Sequence, residues 1–124
     1  MNAELKDIFS LEIDCALAAY VPNEPTTFAV GIRMLIGLPD TDASETFDVT
    51  VCTPAWIAAE LTAERLMWGA NLLVVETYDY ATIELAIRNR IAQATGSTWV
   101  QIAQKISRWA LWEFEDYRPA PELE

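Results

Sequence analysis

Cys52, the pair Glu113 and Glu115, and the pair Asp40 and Asp42 are the positions of this 124-residue chain whose residue types and spacing could do chemistry. Cys52 stands immediately before Thr53-Pro54, a helix start, where the helix dipole favours a thiolate. The chain contains no His to act as its base. The stretch Cys52-Thr53-Pro54-Ala55-Trp56-Ile57-Ala58 also lacks the Arg, six positions on, that would cradle a phosphate. A small buried thiol accounts for Cys52 better. Glu113 and Glu115, two apart, would share one side of a strand and could form an acid-base pair, but no other residue supports that chemistry. Asp40 and Asp42 resemble the opening of a calcium loop, without the glycine and distal Glu such a loop needs. The pattern therefore predicts no catalytic residue, no cofactor and no metal.

Composition narrows the classes further. The chain is 52% hydrophobic, with five Trp, four Tyr and four Phe, which is enough for a packed core. Its formal charge of −11 disfavours nucleic-acid binding, because that affinity rests on Lys and Arg neutralising phosphates. Missing His closes off the usual hydrolase triads and His-based zinc sites. Cys15 and Cys52 form no CxxC pair, and both are expected to be reduced. Neither a signal-like N-terminus nor an apolar window of about 20 residues is present, so the expectation is a cytoplasmic protein off the membrane.

Charge and aromaticity are concentrated at particular places. Up to Glu64, eleven acids face only Lys6 and Arg33, whereas from Arg65 to Trp112 the bases Arg65, Arg88, Arg90, Lys105 and Arg108 outnumber Glu76, Asp79 and Glu84. The segment Trp112-Glu113-Phe114-Glu115-Asp116-Tyr117 interleaves aromatics with carboxylates. In extended form it would turn Trp112 and Phe114 to one face and Glu113, Glu115 and Tyr117 to the other, anchoring itself while presenting negative charge. A final strand with a solvated outer face would carry the same pattern.

Several elements must position these groups. From Thr26 to Leu38, Phe28, Val30, Ile32, Met34, Ile36 and Leu38 alternate with smaller or polar residues, which predicts a strand with one buried face. Pro39 to Ser44 reads as a turn. Phe47, Val49 and Val51, alternating with Thr46, Asp48, Thr50 and Cys52, predict the second arm of a hairpin, with Asp40 to Glu45 as an exposed acidic loop. Thr53 as N-cap and Pro54 at N1 open a helix with the apolar stripe Trp56, Ile57 and Leu61. Leu72 to Val75 reads as a strand buried on both faces. Asp79 can cap a helix carrying Ile83, Ala86, Ile87, Ile91 and Ala94, ended by Gly96. Thr98-Trp99-Val100-Gln101 matches a capping box for a third helix with Trp99, Ile102, Ala103 and Ile106. Ala3 to Phe9 suits an edge strand, and Leu11 to Tyr20 suits a helical turn that Pro22 and Pro25 end. The expected architecture is one α+β domain over residues 1–117, a mostly antiparallel sheet with about three helices packed on one side, followed by a flexible acidic tail at 118–124.

Taken together, Tyr20-Val21-Pro22 ahead of the Phe28 strand, Phe47-Asp48-Val49-Thr50-Val51-Cys52-Thr53-Pro54 with Trp56, Thr98-Trp99, Ala103-Gln104-Lys105 and the Trp112 to Tyr117 segment resemble the immunity protein 8 family of bacterial polymorphic toxin systems. The specific pieces are the Val-Cys-Thr-Pro-x-Trp junction and the Trp-Glu-Phe-Glu-Asp-Tyr end. The resemblance implies a non-enzymatic cytoplasmic protein that binds and neutralises a cognate toxin domain. An acidic surface suits a basic, nuclease-type toxin, because its carboxylates can stand in for a phosphate backbone while aromatics supply desolvated anchors. The contact residues expected on this reading are Asp40, Asp42, Glu45, Asp48, Glu113, Glu115 and Tyr117, with Thr53, Pro54, Trp56, Trp112 and Phe114 serving the fold. Two other classes fit the composition: a small-ligand-binding or enzymatic α+β domain with an apolar pocket, and a structural subunit that assembles through its acidic face.

Overall fold

The alternation in the two long strands is realised residue by residue in a computed structural model that describes residues 1–115. Tyr117 and the 118–124 tail lie outside the described residues. β1 (Glu4–Phe9), β2 (Ala29–Gly37) and β3 (Glu45–Cys52) form an antiparallel meander in that order. The register sets Val30 opposite Val51, Ile32 opposite Val49 and Met34 opposite Phe47, so all six point to one face, and all are buried. Each large apolar side chain hidden there contributes roughly 1.5–3 kcal/mol relative to exposure.

The other side of β3 is shared by two short strands laid end to end. β4 (Leu72–Val74) pairs in parallel with Thr50 to Cys52, and β5 (Leu111–Trp112) pairs antiparallel with Phe47 and Asp48. The Leu72 to Val75 run is thus an edge strand and is not buried on both faces: Leu72 and Leu73 are half-buried and Val74 is exposed. Apolar content alone does not distinguish an edge strand that leans on its neighbour from a central one.

Helices α2 (Tyr80–Gln93) and α3 (Trp99–Ile106) cover the core face with Ile83, Ile87 and Ile91 from one and Ile102, Ala103 and Ile106 from the other. The Thr98 hydroxyl caps α3 by accepting from the Gln101 N–H at 3.2 Å, while the Gln101 side chain accepts from the Ser97 N–H at 2.8 Å, one residue earlier than the reciprocal bond of a capping box. Asp79 is the N-cap of α2, with its carboxylate accepting from the Thr82 hydroxyl at 2.9 Å in place of a backbone N–H. α2 ends at Gln93, three residues before Gly96. Leu11 to Tyr20 is largely irregular and forms one 3-10 turn at Leu17–Ala19.

The junction after β3 is built as its sequence predicts. The hydroxyl of fully buried Thr53 accepts from the Trp56 N–H at 3.4 Å and from the Phe28 N–H at 3.2 Å, so one oxygen caps α1 (Pro54–Glu64) and ties it to the entry of β2. α1 nevertheless buries none of its residues. At the opposite end of the hairpin, Gly37 leaves room for the loop: a Cβ there would meet the Ala43 carbonyl oxygen at 2.2 Å. β1 carries a bulge at Lys6, whose ammonium donates to the Thr41 carbonyl and so braces the same loop.

Candidate interaction surface

Two acidic stretches far apart in sequence meet at the hairpin end of the sheet. Because β5 runs antiparallel to β3, the chain leaving Trp112 passes the start of β3, where the Glu113 N–H donates to the Thr46 carbonyl at 3.1 Å and the Glu113 carboxylate accepts from the Thr46 N–H at 2.7 Å. The loop carrying Asp40 and Asp42 and the turn carrying Glu113 and Glu115 therefore share one end of the molecule.

Three of the acids there have internal partners. Glu45 accepts from the indole N–H groups of Trp99 at 2.6 Å and Trp112 at 3.2 Å. Those rings flank Phe47, Trp112 stacked on it at 6.2 Å and 10° and Trp99 edge-on at 6.3 Å and 80°. Asp48 takes a bidentate pair from Arg33, its cross-strand partner, at 2.9 and 3.0 Å. Its hydrogen bonds to Asp48, and then the charge of Asp48, hold the Arg33 guanidinium above its ordinary pKa, and Glu113 adds to the effect. Glu113, bonded to Thr46, is the third. By contrast, the carboxylates of Asp40, Asp42 and Glu115 are exposed and, among the described residues, take no hydrogen bond or ion pair.

The end of the chain differs from the alternation expected of it. The strand stops at Trp112, and Glu113 to Glu115 form a turn in which the Glu115 N–H donates to the Trp112 carbonyl at 3.0 Å. Trp112 is half-buried as an anchor should be, whereas Phe114 is 39% exposed and meets Trp112 edge-on at 6.2 Å. Glu113 and Glu115 do not share a strand face, which removes the geometric basis for a carboxylate pair. Cys52 is fully buried, and burial pushes its thiol pKa up, the reverse of what a nucleophile needs. Among the described residues, no three Cys, Asp or Glu side chains are placed to hold a metal ion, and no helix is long and apolar enough to cross a membrane.

Beside the acidic end lies the face of the sheet that α2 and α3 do not cover. It forms an open hollow of about 350 Å³ lined by Leu11, Glu12, Gly31, Arg33, Asp48 and Leu111 among others. Beyond the end of β1, the Gly31 N–H would lack a strand partner, and the Glu12 carboxylate accepts it at 2.7 and 3.2 Å. Sequence reasoning missed Glu12 in this role and missed Arg33 as the neutraliser of Asp48. The second was recoverable, because both occupy outward positions of the hairpin and the core alternation sets them opposite one another.

No curated protein and no solved structure matches the chain. The family model described as immunity protein 8 matches residues 3–117, nearly the whole length, and includes both acidic stretches and the Thr53-Pro54 junction. The chain belongs to the immunity protein 8 family.

Proposed function

We propose that the protein binds and neutralises a cognate toxin domain with a basic, nuclease-type surface, acting in the cytoplasm as a non-enzymatic inhibitor through the acidic hairpin end. The observation that carries this reading is the division of labour among the carboxylates: Glu45, Asp48 and Glu113 are committed to internal partners, while Asp40, Asp42 and Glu115 project from the same end with none among the described residues. Unpaired like charges held together on a rigid frame raise the local potential and draw in an oppositely charged partner. Tyr117, a further contact expected from its sequence, lies outside the described residues. Family membership supports a toxin domain as the class of partner, and a net charge of −11 favours a basic one.

The test is co-purification of this protein with the product of the neighbouring reading frame, paired with rescue of growth when both are expressed together. Recovery of a stoichiometric complex and restored growth are expected. Failure of the pair to associate, with the neighbouring product still toxic in the presence of this protein, would overturn the reading.

A further inference from the structure

A helix in a domain of this size normally buries part of one side against the core. α1 does not. Trp56 and Ile57 are half-buried outside the core cluster, and Leu61 is 41% exposed. The chain then passes through a left-handed cap at Arg65 (φ 68°), whose N–H donates to the Leu61 carbonyl at 2.8 Å. It next holds Leu66 68% and Trp68 89% exposed before a second left-handed residue, Asn71 (φ 60°), leads into β4. Val74 on that edge strand is 49% exposed. Single exposed apolar residues are ordinary, but a helix with no buried residue next to an outward Leu and Trp marks a contact surface.

Its charges indicate what covers it. Glu60 and Glu64 lie on α1 and Glu76 lies just past β4, with Arg65 as the one base between Glu60 and Glu76. Two copies meeting here would bring these carboxylates together, each chain carrying −11 overall. A basic partner would pair with them instead. The surface also continues toward the acidic end, because Ala70 and Asn71, which close this loop, line the same hollow as Asp48 and Leu111. β3 separates the two ends by about 25 Å at roughly 3.3 Å per residue, and a standard interface of about 800 Å² per partner is a patch some 30 Å across. One partner can therefore reach both.

We infer that Leu61, Leu66, Trp68 and Val74 form the apolar anchor of the toxin interface, received by an apolar site ringed with Lys and Arg on the toxin. The acidic hairpin end then governs encounter, and this anchor governs residence. The inference rests on the toxin-binding reading above, and the experiment separates the two.

Trp68→Ala and Leu66→Ser are made singly, since both side chains face solvent and neither should alter the melting temperature. Each is titrated against the purified toxin domain from the neighbouring reading frame, with association and dissociation rates measured, and the protein alone is sedimented over a range of concentrations. Trp68→Ala should weaken binding at least about 30-fold, the size of a hot-spot truncation, by faster dissociation and with an unchanged salt dependence of association. Wild-type affinity in both variants would overturn the anchor and leave the toxin reading standing, whereas no binding by the wild-type protein would overturn both. A concentration-dependent dimer lost on Trp68→Ala would identify a second copy as the occupant and likewise overturn the inference.

Discussion

The Glu45 carboxylate accepts the indole N–H of Trp99 at 2.6 Å, joining the start of β3 to the start of α3 across 54 positions of the chain. The same oxygen also accepts from Trp112, so one side chain fixes both rings that enclose Phe47. Glu45→Ala would leave two half-buried indole donors without this partner and should cost about 1–3 kcal/mol in a denaturant melt. Glu45→Gln keeps an acceptor in place and should cost less. Equal losses in the two variants would mean that a neutral acceptor of the same size contributes nothing and that the carboxylate charge carries the effect.

Trp112 and Phe114 should separate cleanly. Trp112 lies in register with Phe47 and stacks on it, whereas Phe114 sits beyond the strand on a turn. Trp112→Ala should therefore lose roughly 2–4 kcal/mol, somewhat below a fully buried aromatic. Phe114→Ala should lose less than about 1 kcal/mol. Chemical denaturation of the two variants in parallel checks the difference.

Stability should decline in alkali for a specific reason. Tyr78 donates its hydroxyl to the Leu17 carbonyl at 2.6 Å and packs edge-on to Tyr20 and Phe28. Burial, reinforced by Tyr80, Tyr20 and Cys15, pushes its pKa up to about 12. In the unfolded chain the phenol titrates near its ordinary value of about 10, so the unfolded state loses its proton first. The contribution of Tyr78 is thus fully present below about pH 10 and is lost as pH rises through about 12. Tyr80, raised in the same direction by burial, acts alongside it. Melts stepped from about pH 9 upward should show this decline, and Tyr78→Phe should make it shallower.

Much of the frame was legible in the sequence because it is dictated locally. Alternation from Val30 to Ile36 and from Phe47 to Val51 gives the hairpin and its buried face, Thr53-Pro54 gives a helix start, and Ile83, Ile87 and Ile91 give the inner side of α2. What was not legible depends on contacts between distant segments. Glu45 reads as a loop acid until Trp99 and Trp112 are brought to it, and Glu113 reads as an outward acid until the Thr46 N–H faces it. Trp112 to Tyr117 alternates as a strand would, but β5 pairs with β3 only through Leu111 and Trp112, and past the Glu113 to Thr46 bond the chain turns back, the Glu115 N–H donating to the Trp112 carbonyl. The stripe of Trp56, Ile57 and Leu61 predicts a helix without telling whether the domain or a partner covers it.

The central claim, that exposed carboxylates at the hairpin end draw in a basic toxin, is tested most directly by the association rate constant for the neighbouring reading frame's toxin domain, measured from low to high salt. Exposed charges are screened beyond a Debye length of about 8 Å at physiological ionic strength, so a charge-steered encounter slows as salt rises. The rate should fall steeply for the wild-type protein, and should be lower and much flatter for the double variant Asp40→Asn, Asp42→Asn. A wild-type rate that stays constant across the salt range, or a double variant that matches it at low salt, would contradict the account.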